Sequence, residues 1–210
     1  MIPLRSRNLG FERVNARGER VALRGFCGDF QGSELVAFRG DPDIVEPLLC
    51  VLAGIDRPLE GSVEWMGKNL TSACEEEIAR HRDRSIGYLF THPHLLPSFS
   101  VGENVAMPFF RLCGKCEEAA SRRVAEVLEF AGLQLCGSEP LECLGEAEVW
   151  RVAFARAIVH EPRILAAVSE PSPGLLPFAR RYADECGALV LWPGEAAEAY
   201  ADRVVELEER

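Results

Sequence analysis

Residues 35–54 read LVAFRGDPDIVEPLLCVLAG, a short apolar run, a break at Gly40 and Pro42, and a second apolar stretch closed by Gly54. The first run is the length of a buried strand. In the second, Pro47 suits a first helical position and Gly54 a helix end, so the whole is expected to be strand, tight loop and helix. In an α/β protein such a loop is where phosphates are held, because loop N–H groups and the helix N-terminus attract anions. A loop of that kind needs G-x-x-x-x-G-K-[ST], with glycines for close approach, a lysine for charge and a hydroxyl for Mg²⁺. After Gly40 this chain has Asp41, Pro42, Asp43, Ile44, Val45, Glu46 and Pro47, and there is no lysine between Gly40 and Gly67. Three carboxylates stand where phosphates would be held. One like-charge pair at about 4 Å and an effective dielectric of ~20 costs about 4 kcal/mol, so these acids oppose a nucleotide. The alternative is that Asp43 or Glu46 simply caps its own helix.

The 210 residues, 48% of them hydrophobic, are enough for one domain with a subdomain. With 33 acidic and 23 basic side chains, net charge −10, neither a nucleic-acid groove nor an anionic membrane surface is expected as the main partner. The densest basic cluster, residues 79–84 (ARHRDR), reads as a solvated helix face. No apolar run approaches the ~20 residues that span a bilayer, and the N-terminus lacks a secretory pattern. The expectation is therefore a cytosolic protein, one still free to dock on a membrane protein. The eight cysteines are scattered and are expected to be reduced thiols, several of them in the core. Cys113-Gly-Lys-Cys116 has the spacing of half a zinc site, but no second pair follows, so packing or incidental cysteines are the simpler reading.

Taken in order, residues 1–34 look like an antiparallel edge carrying short strands at 21–23 and 26–30, joined by a further strand at 62–65. Residues 75–84 form a charged surface helix. Residues 85–90 (SIGYLF), 164–168 and 188–191 are further buried strands, and Val124, Val127, Leu128 and Ala131 form one helical stripe closed by Gly132. Residues 146–160 read as a helix apolar on most sides, stopped by Pro162.

Four blocks then carry a resemblance: Ala53-Gly54-Ile55-Asp56-Arg57-Pro58-x-x-Gly61, Ile86-Gly87-Tyr88-Leu89-Phe90, His94-Leu95-Leu96-Pro97, and Glu103-Asn104-Val105-Ala106-Met107-Pro108. In order and spacing they resemble the ATP-binding subunits of ABC transporters, above all the lipoprotein-releasing and macrolide-exporter branch. The match continues through Arg151-Val152-Ala153-Phe154-Ala155-Arg156-Ala157, which resembles the family's signature helix, and Ala201-Asp202-Arg203-Val204, which resembles its closing segment. The fold this implies is α/β and P-loop NTPase-like: a mixed sheet with helices on both sides, an antiparallel β edge and a helical subdomain. The implied division is a core lobe of residues 1–97 and 157–210 with a helical subdomain at 98–156, in one domain over 1–210.

Set against the family's pattern, the chemistry is thinned. The lysine and hydroxyl of the phosphate loop are absent, leaving Gly40 as a loop position only, and the Mg²⁺-sensing glutamine falls at Thr91. The signature L-S-G-G-[QE] becomes Leu144-Gly145-Glu146-Ala147-Glu148. Of D-E-P, the aspartate falls at Ser169 while Glu170 and Pro171 remain, and T-H-D becomes Trp192-Pro193-Gly194. The short stretch between Pro171 and Ala188 implies loss of a helix and of the subunit-contacting turn. Glu170 keeps the general-base position, idle without lysine and metal to neutralise a phosphoryl group. His92 and His94 are readable as metal ligands, but their loop matches the family's surface for the membrane subunit, so Thr91, His92, His94, Leu95, Leu96 and Pro97 are the expected permease contacts. The resulting expectation is a catalytically inactive structural or regulatory partner of an ABC permease membrane subunit, peripheral at the inner face of the cell membrane, with no cofactor. It could pair with an intact ABC ATPase as a heterodimer. The competing readings are an atypical subunit that still binds and hydrolyses ATP with Mg²⁺, and an interaction protein that has left transport.

Overall fold

In a computed structural model, residues 2–113 and 117–207 are described. Nine strands, β1 (Leu4–Val14), β2 (Arg20–Phe30), β3 (Leu35–Gly40), β4 (Glu60–Trp65), β5 (Lys68–Asn69), β6 (Ile86–Leu89), β7 (Ile164–Ala167), β8 (Leu189–Pro193) and β9 (Arg203–Leu207), alternate with six helices. The helices are α1 (Pro42–Leu52), α2 (Glu75–Ser85), α3 (Val101–Cys113), α4 (Glu117–Phe130), α5 (Glu146–Ile158) and α6 (Leu176–Cys186).

The strands divide between two sheets. β6-β7-β8-β3-β9 form a wholly parallel sheet, and β2-β1-β4-β5 a separate antiparallel one. The antiparallel edge expected on a mixed sheet is therefore a second layer rather than a continuation of the first. β3 shows why the parallel sheet sits at the centre. Val36 and Phe38 face one core and Leu35 and Ala37 the other, all fully buried, and a strand covered on both faces has no room for a polar row. On the first face lie α1 and the antiparallel sheet; on the second, α3, α4, α5 and α6. This is the α/β layering with helices on both sides that the sequence implied.

Several local expectations are corrected. Helix α1 begins at Pro42, not Pro47: the first proline already supplies the fixed φ of a first turn, and Pro47 lies inside the helix. The two short strands expected within 20–30 are one eleven-residue strand paired along its length with β1. Gly25 (φ +73) lies at an irregularity in that pairing, where the register shifts between Leu9↔Phe26 and Phe11↔Leu23. The helix read as lost after Pro171 is present as α6, preceded by a short 3₁₀ turn at Pro173–Leu175. The closing segment at Asp202 continues as β9, a fifth parallel strand. The described cysteines are free, yet none is fully buried: Cys27, Cys74, Cys143 and Cys186 are exposed, Cys50 and Cys136 half-buried. The Cys113–Cys116 spacing lies outside the described side chains. Among the described residues no helix is long and apolar enough to cross a membrane, and no cluster of His, Cys, Asp or Glu is arranged to hold a metal.

Candidate functional site

In a parallel sheet all strand C-termini open on one edge, and there the loops after β3, β6, β7 and β8 gather. The approach to α1 is very short. β3 ends at Gly40 and α1 starts at Pro42, leaving Asp41 alone between them. Gly40 (φ +141) is pressed against β9, where an added Cβ would stand 2.3 Å from the Leu207 carbonyl oxygen. Asp41 then closes the helix from both its side chain and its backbone. Its Oδ1 accepts the Asp43 N–H at 2.8 Å, and its carbonyl accepts the N–H groups of Ile44 and Val45, each at 2.9 Å. Pro42 has no N–H. Every donor of the first turn that a phosphate would need is thus already taken, and the loop offers no lysine. The cap is Asp41, not Asp43 or Glu46.

The other carboxylates line up beside it. Asp43 accepts from Asn15 Nδ2 at 2.8 Å and Arg17 Nη2 at 2.9 Å, both from the turn between β1 and β2. The Glu46 carboxyl is held above its ordinary value, first by partial burial and then by repulsion from Asp43 and Glu170. Glu170, exposed at the end of β7, lies against Gly194 so closely that a Cβ there would meet its Oε1 at 2.6 Å. Beside it, Ser169 is tied to Thr91. The structure therefore brings Gly40, Thr91, Ser169, Glu170 and Gly194 to one edge of the sheet, as their order in the sequence implied.

A second helix N-terminus is closed in the same manner. Before α5, the Gly145 N–H donates to Glu148 Oε2 at 2.9 Å, while the Gly145 carbonyl accepts from Glu148 and Val149. The fully buried Asn104 and the largely buried Arg156 shape the third feature, the loop of residues 91–97. Asn104 accepts the Leu96 N–H at 2.8 Å and donates to the Leu96, Phe99 and Ser100 carbonyls. Arg156 donates to the carbonyls of Pro93 and His94, each at 2.7 Å, and its burial lowers its pKa. These two residues hold His94 at φ +48. His92 and His94 are exposed, with ring centroids 6.1 Å apart, and Leu96 is 38% exposed. Leu95 instead packs onto the core. Beside the loop a groove of about 370 Å³ is lined by Tyr88, Phe90, Met107, Pro108, Arg156 and His160. Asn104, Arg156, Phe90 and Met107 all stand in the blocks that carry the resemblance, but the motif does not assign them these roles. Asn104 and Arg156 act on backbone carbonyls, and Phe90 and Met107 look like core residues in a linear pattern.

A parallel sheet between an antiparallel layer and a helical layer, with a strand-loop-helix at its carboxyl edge, defines the nucleotide-binding cassettes. The sequence profile described as ABC transporter matches residues 47–167, more than half of the chain. The chain is 34% identical over 159 residues to the lipoprotein-releasing system ATP-binding protein LolD of Bdellovibrio bacteriovorus, covering 75% of this chain and 71% of that protein. The ATP-binding cassette MJ0796, in a dimer bound to ADP and Pi, superposes with a TM-score of 0.81 at 19% identity, covering 98% of this chain and 94% of the other. CbiO1 of Clostridium perfringens, part of the transporter complex cbiONQ, superposes with a TM-score of 0.82 at 22% identity over 99% and 85% of the two chains. The chain belongs to the ABC transporter family. Within it, it is a cassette subunit of the kind to which LolD belongs.

Proposed function

We propose that this chain is a catalytically inactive member of its family, a structural or regulatory partner of a membrane permease that works without ATP or Mg²⁺. The observation that carries the reading is the closed first turn of α1: its N–H groups are spent on Asp41, and Asp43 and Glu46 flank it. Glu170 then has no phosphoryl group to serve, since a general base acts only on a reaction whose charge is neutralised. Gly40 keeps the place of a phosphate loop without its function. The partner surface is the loop of Thr91, His92, His94, Leu95, Leu96 and Pro97, with its neighbouring groove, and it would keep the protein at the inner face of the cell membrane. An intact ABC ATPase is a second partner, as a mixed dimer. The division into a core lobe (1–97 and 157–210) and a helical subdomain (98–156) belongs to the same reading; α3 and α4 fall within the second, and α5 runs two residues past its end.

Retention of Glu170 at the end of β7 favours one other reading, an atypical subunit that binds and hydrolyses ATP through other donors. Calorimetric titration with Mg-ATP to millimolar concentration separates the two. No heat of binding is expected, and a dissociation constant in the micromolar range would overturn the inactive reading.

A further inference from the structure

Strand β5 is two residues long and leaves β4 through a turn in which Met66 (φ +46) and Gly67 (φ +82) both take the left-handed conformation of a tight hairpin. So short a strand, paired only through Glu64↔Asn69 and Trp65↔Lys68, has little of its own to hold it in place. Helix α2 supplies the rest. Lys68 Nζ stands 3.0 Å from His81 Nε2 and 3.6 Å from Glu77 Oε1, one helical turn earlier. An ammonium has hydrogens to give and no lone pair, so Nε2 accepts, and the ring is neutral with its hydrogen on Nδ1. Glu77 also accepts the Cys74 N–H at 3.4 Å, which closes the first turn of α2. One carboxylate therefore serves both the lysine and the start of the helix.

We propose that Lys68 and His81 form an acid-released latch between the β4–β5 hairpin and α2, closed while the imidazole is neutral and open once it is protonated. An imidazolium has no lone pair on Nε2 and sets its charge beside the ammonium, so a bond is replaced by a repulsion. The charged groups acting on His81 are Lys68 from β5 and Glu77, Arg80 and Arg84 from α2 itself. Only Glu77 favours the imidazolium, and the two cations then compete for it with the Cys74 N–H. Burial first, and then the Lys68 ammonium, hold the ring below its ordinary 6.5. The latch is thus complete at neutral pH and is lost as pH falls through the His81 value. Both side chains are half-buried, so its release frees the hairpin tip locally and leaves the rest of the chain folded.

Nuclear magnetic resonance of the full chain tests this with two readouts. The first is the titration of the His81 ring, identified by its loss in His81→Gln. In Lys68→Met the neighbouring charge and the bond to the neutral ring are both removed, so the midpoint should rise by about half a unit or more. An unchanged midpoint would overturn the latch. The second is exchange at the amides of Met66 and Leu70, which donate to the Pro3 and Val63 carbonyls and bracket the tip. Corrected for the intrinsic effect of pH, their protection relative to that of β8 should fall about threefold from pH 7.5 to 5 in the wild type. His81→Gln offers Lys68 an amide oxygen that does not titrate, and there the relative protection should stay constant. An equal fall in the wild type and in His81→Gln would remove His81 as the switch.

Discussion

Thr91 donates both its backbone N–H and its hydroxyl to Ser169 Oγ, at 2.9 and 2.6 Å, so the ends of β6 and β7 are tied by a pair of small hydroxyl side chains. The family pattern has glutamine and aspartate at these two places, and both would be needed around a metal. Thr91→Gln/Ser169→Asp is expected to produce no Mg-ATP binding by calorimetry, because the first turn of α1 stays closed by Asp41. Ser169→Ala should cost about 1 kcal/mol at most in denaturant unfolding, the usual worth of a hydroxyl bond of this kind.

Gly54 ends α1 at φ +68, and a Cβ there would stand 2.3 Å from the Trp65 ring, whose indole N–H donates to the Leu52 carbonyl at 2.9 Å. Trp65 is 1% exposed and cannot retreat. Gly54→Ala combines an unfavourable φ with overpacking and should destabilise the chain by about 2–4 kcal/mol. Urea midpoints compared with the wild type measure it, and a loss below half a kilocalorie would contradict this packing.

The His160 imidazole is held below its ordinary 6.5 by burial, against the raising effects of the Ile86 carbonyl bond and Asp83. Its Nδ1 is buried with no partner, so a proton placed there would be unsolvated. A folded-state value below the unfolded one means that the unfolded chain binds protons first as pH falls. Stability is therefore expected to fall from pH 6.5 downward, and His81, shifted the same way by burial, adds to it. Thermal midpoints measured from pH 7.5 to 5.5 should drop, and drop less in His160→Gln, which keeps a donor for the Ile86 carbonyl. An equal drop in the variant would remove His160 as a cause.

Leu95 and Leu96 face in different directions, one onto the core and the other 38% exposed. Leu96→Asp should release the protein from permease-containing membranes with its unfolding midpoint unchanged. Leu95→Asp should lower stability by about 1–3 kcal/mol, because it places a charge in an apolar contact. Co-sedimentation with native membranes is the readout, and undiminished sedimentation of Leu96→Asp would refute docking through this loop.

In a head-to-tail pairing with an intact ATPase, the start of α5 would face the partner's phosphate loop. There Glu148 already occupies the Gly145 N–H, and Glu146 adds a second carboxylate to the same turn. An anion brought to that place meets repulsion and blocked donors. Titrating this chain into a purified partner should lower phosphate release below that of the partner's own homodimer. Stimulated release would be incompatible with an inactive partner in the mixed dimer, and an unchanged rate with pairing through this face.

The apolar periods of the chain determined the layers. Runs such as 35–38, 86–89 and 164–167 have no polar row and suit strands covered on both sides, and those strands pair in parallel, Gly87 with Leu165, Leu165 with Val190 and Leu35 with Val190. The absence of lysine and the presence of Asp41, Asp43 and Glu46 after Gly40 were equally legible, because they are matters of composition. Tertiary structure decided what those acids do. Asp41 rather than Asp43 or Glu46 caps α1, since the helix starts at Pro42, and Asp43 is left to meet Asn15 and Arg17, which lie 28 and 26 residues away. It also decided that Leu95 faces inward and that β9 joins the sheet beside β3, because those outcomes depend on pairings between distant segments and on shared backbone carbonyls that no local period encodes.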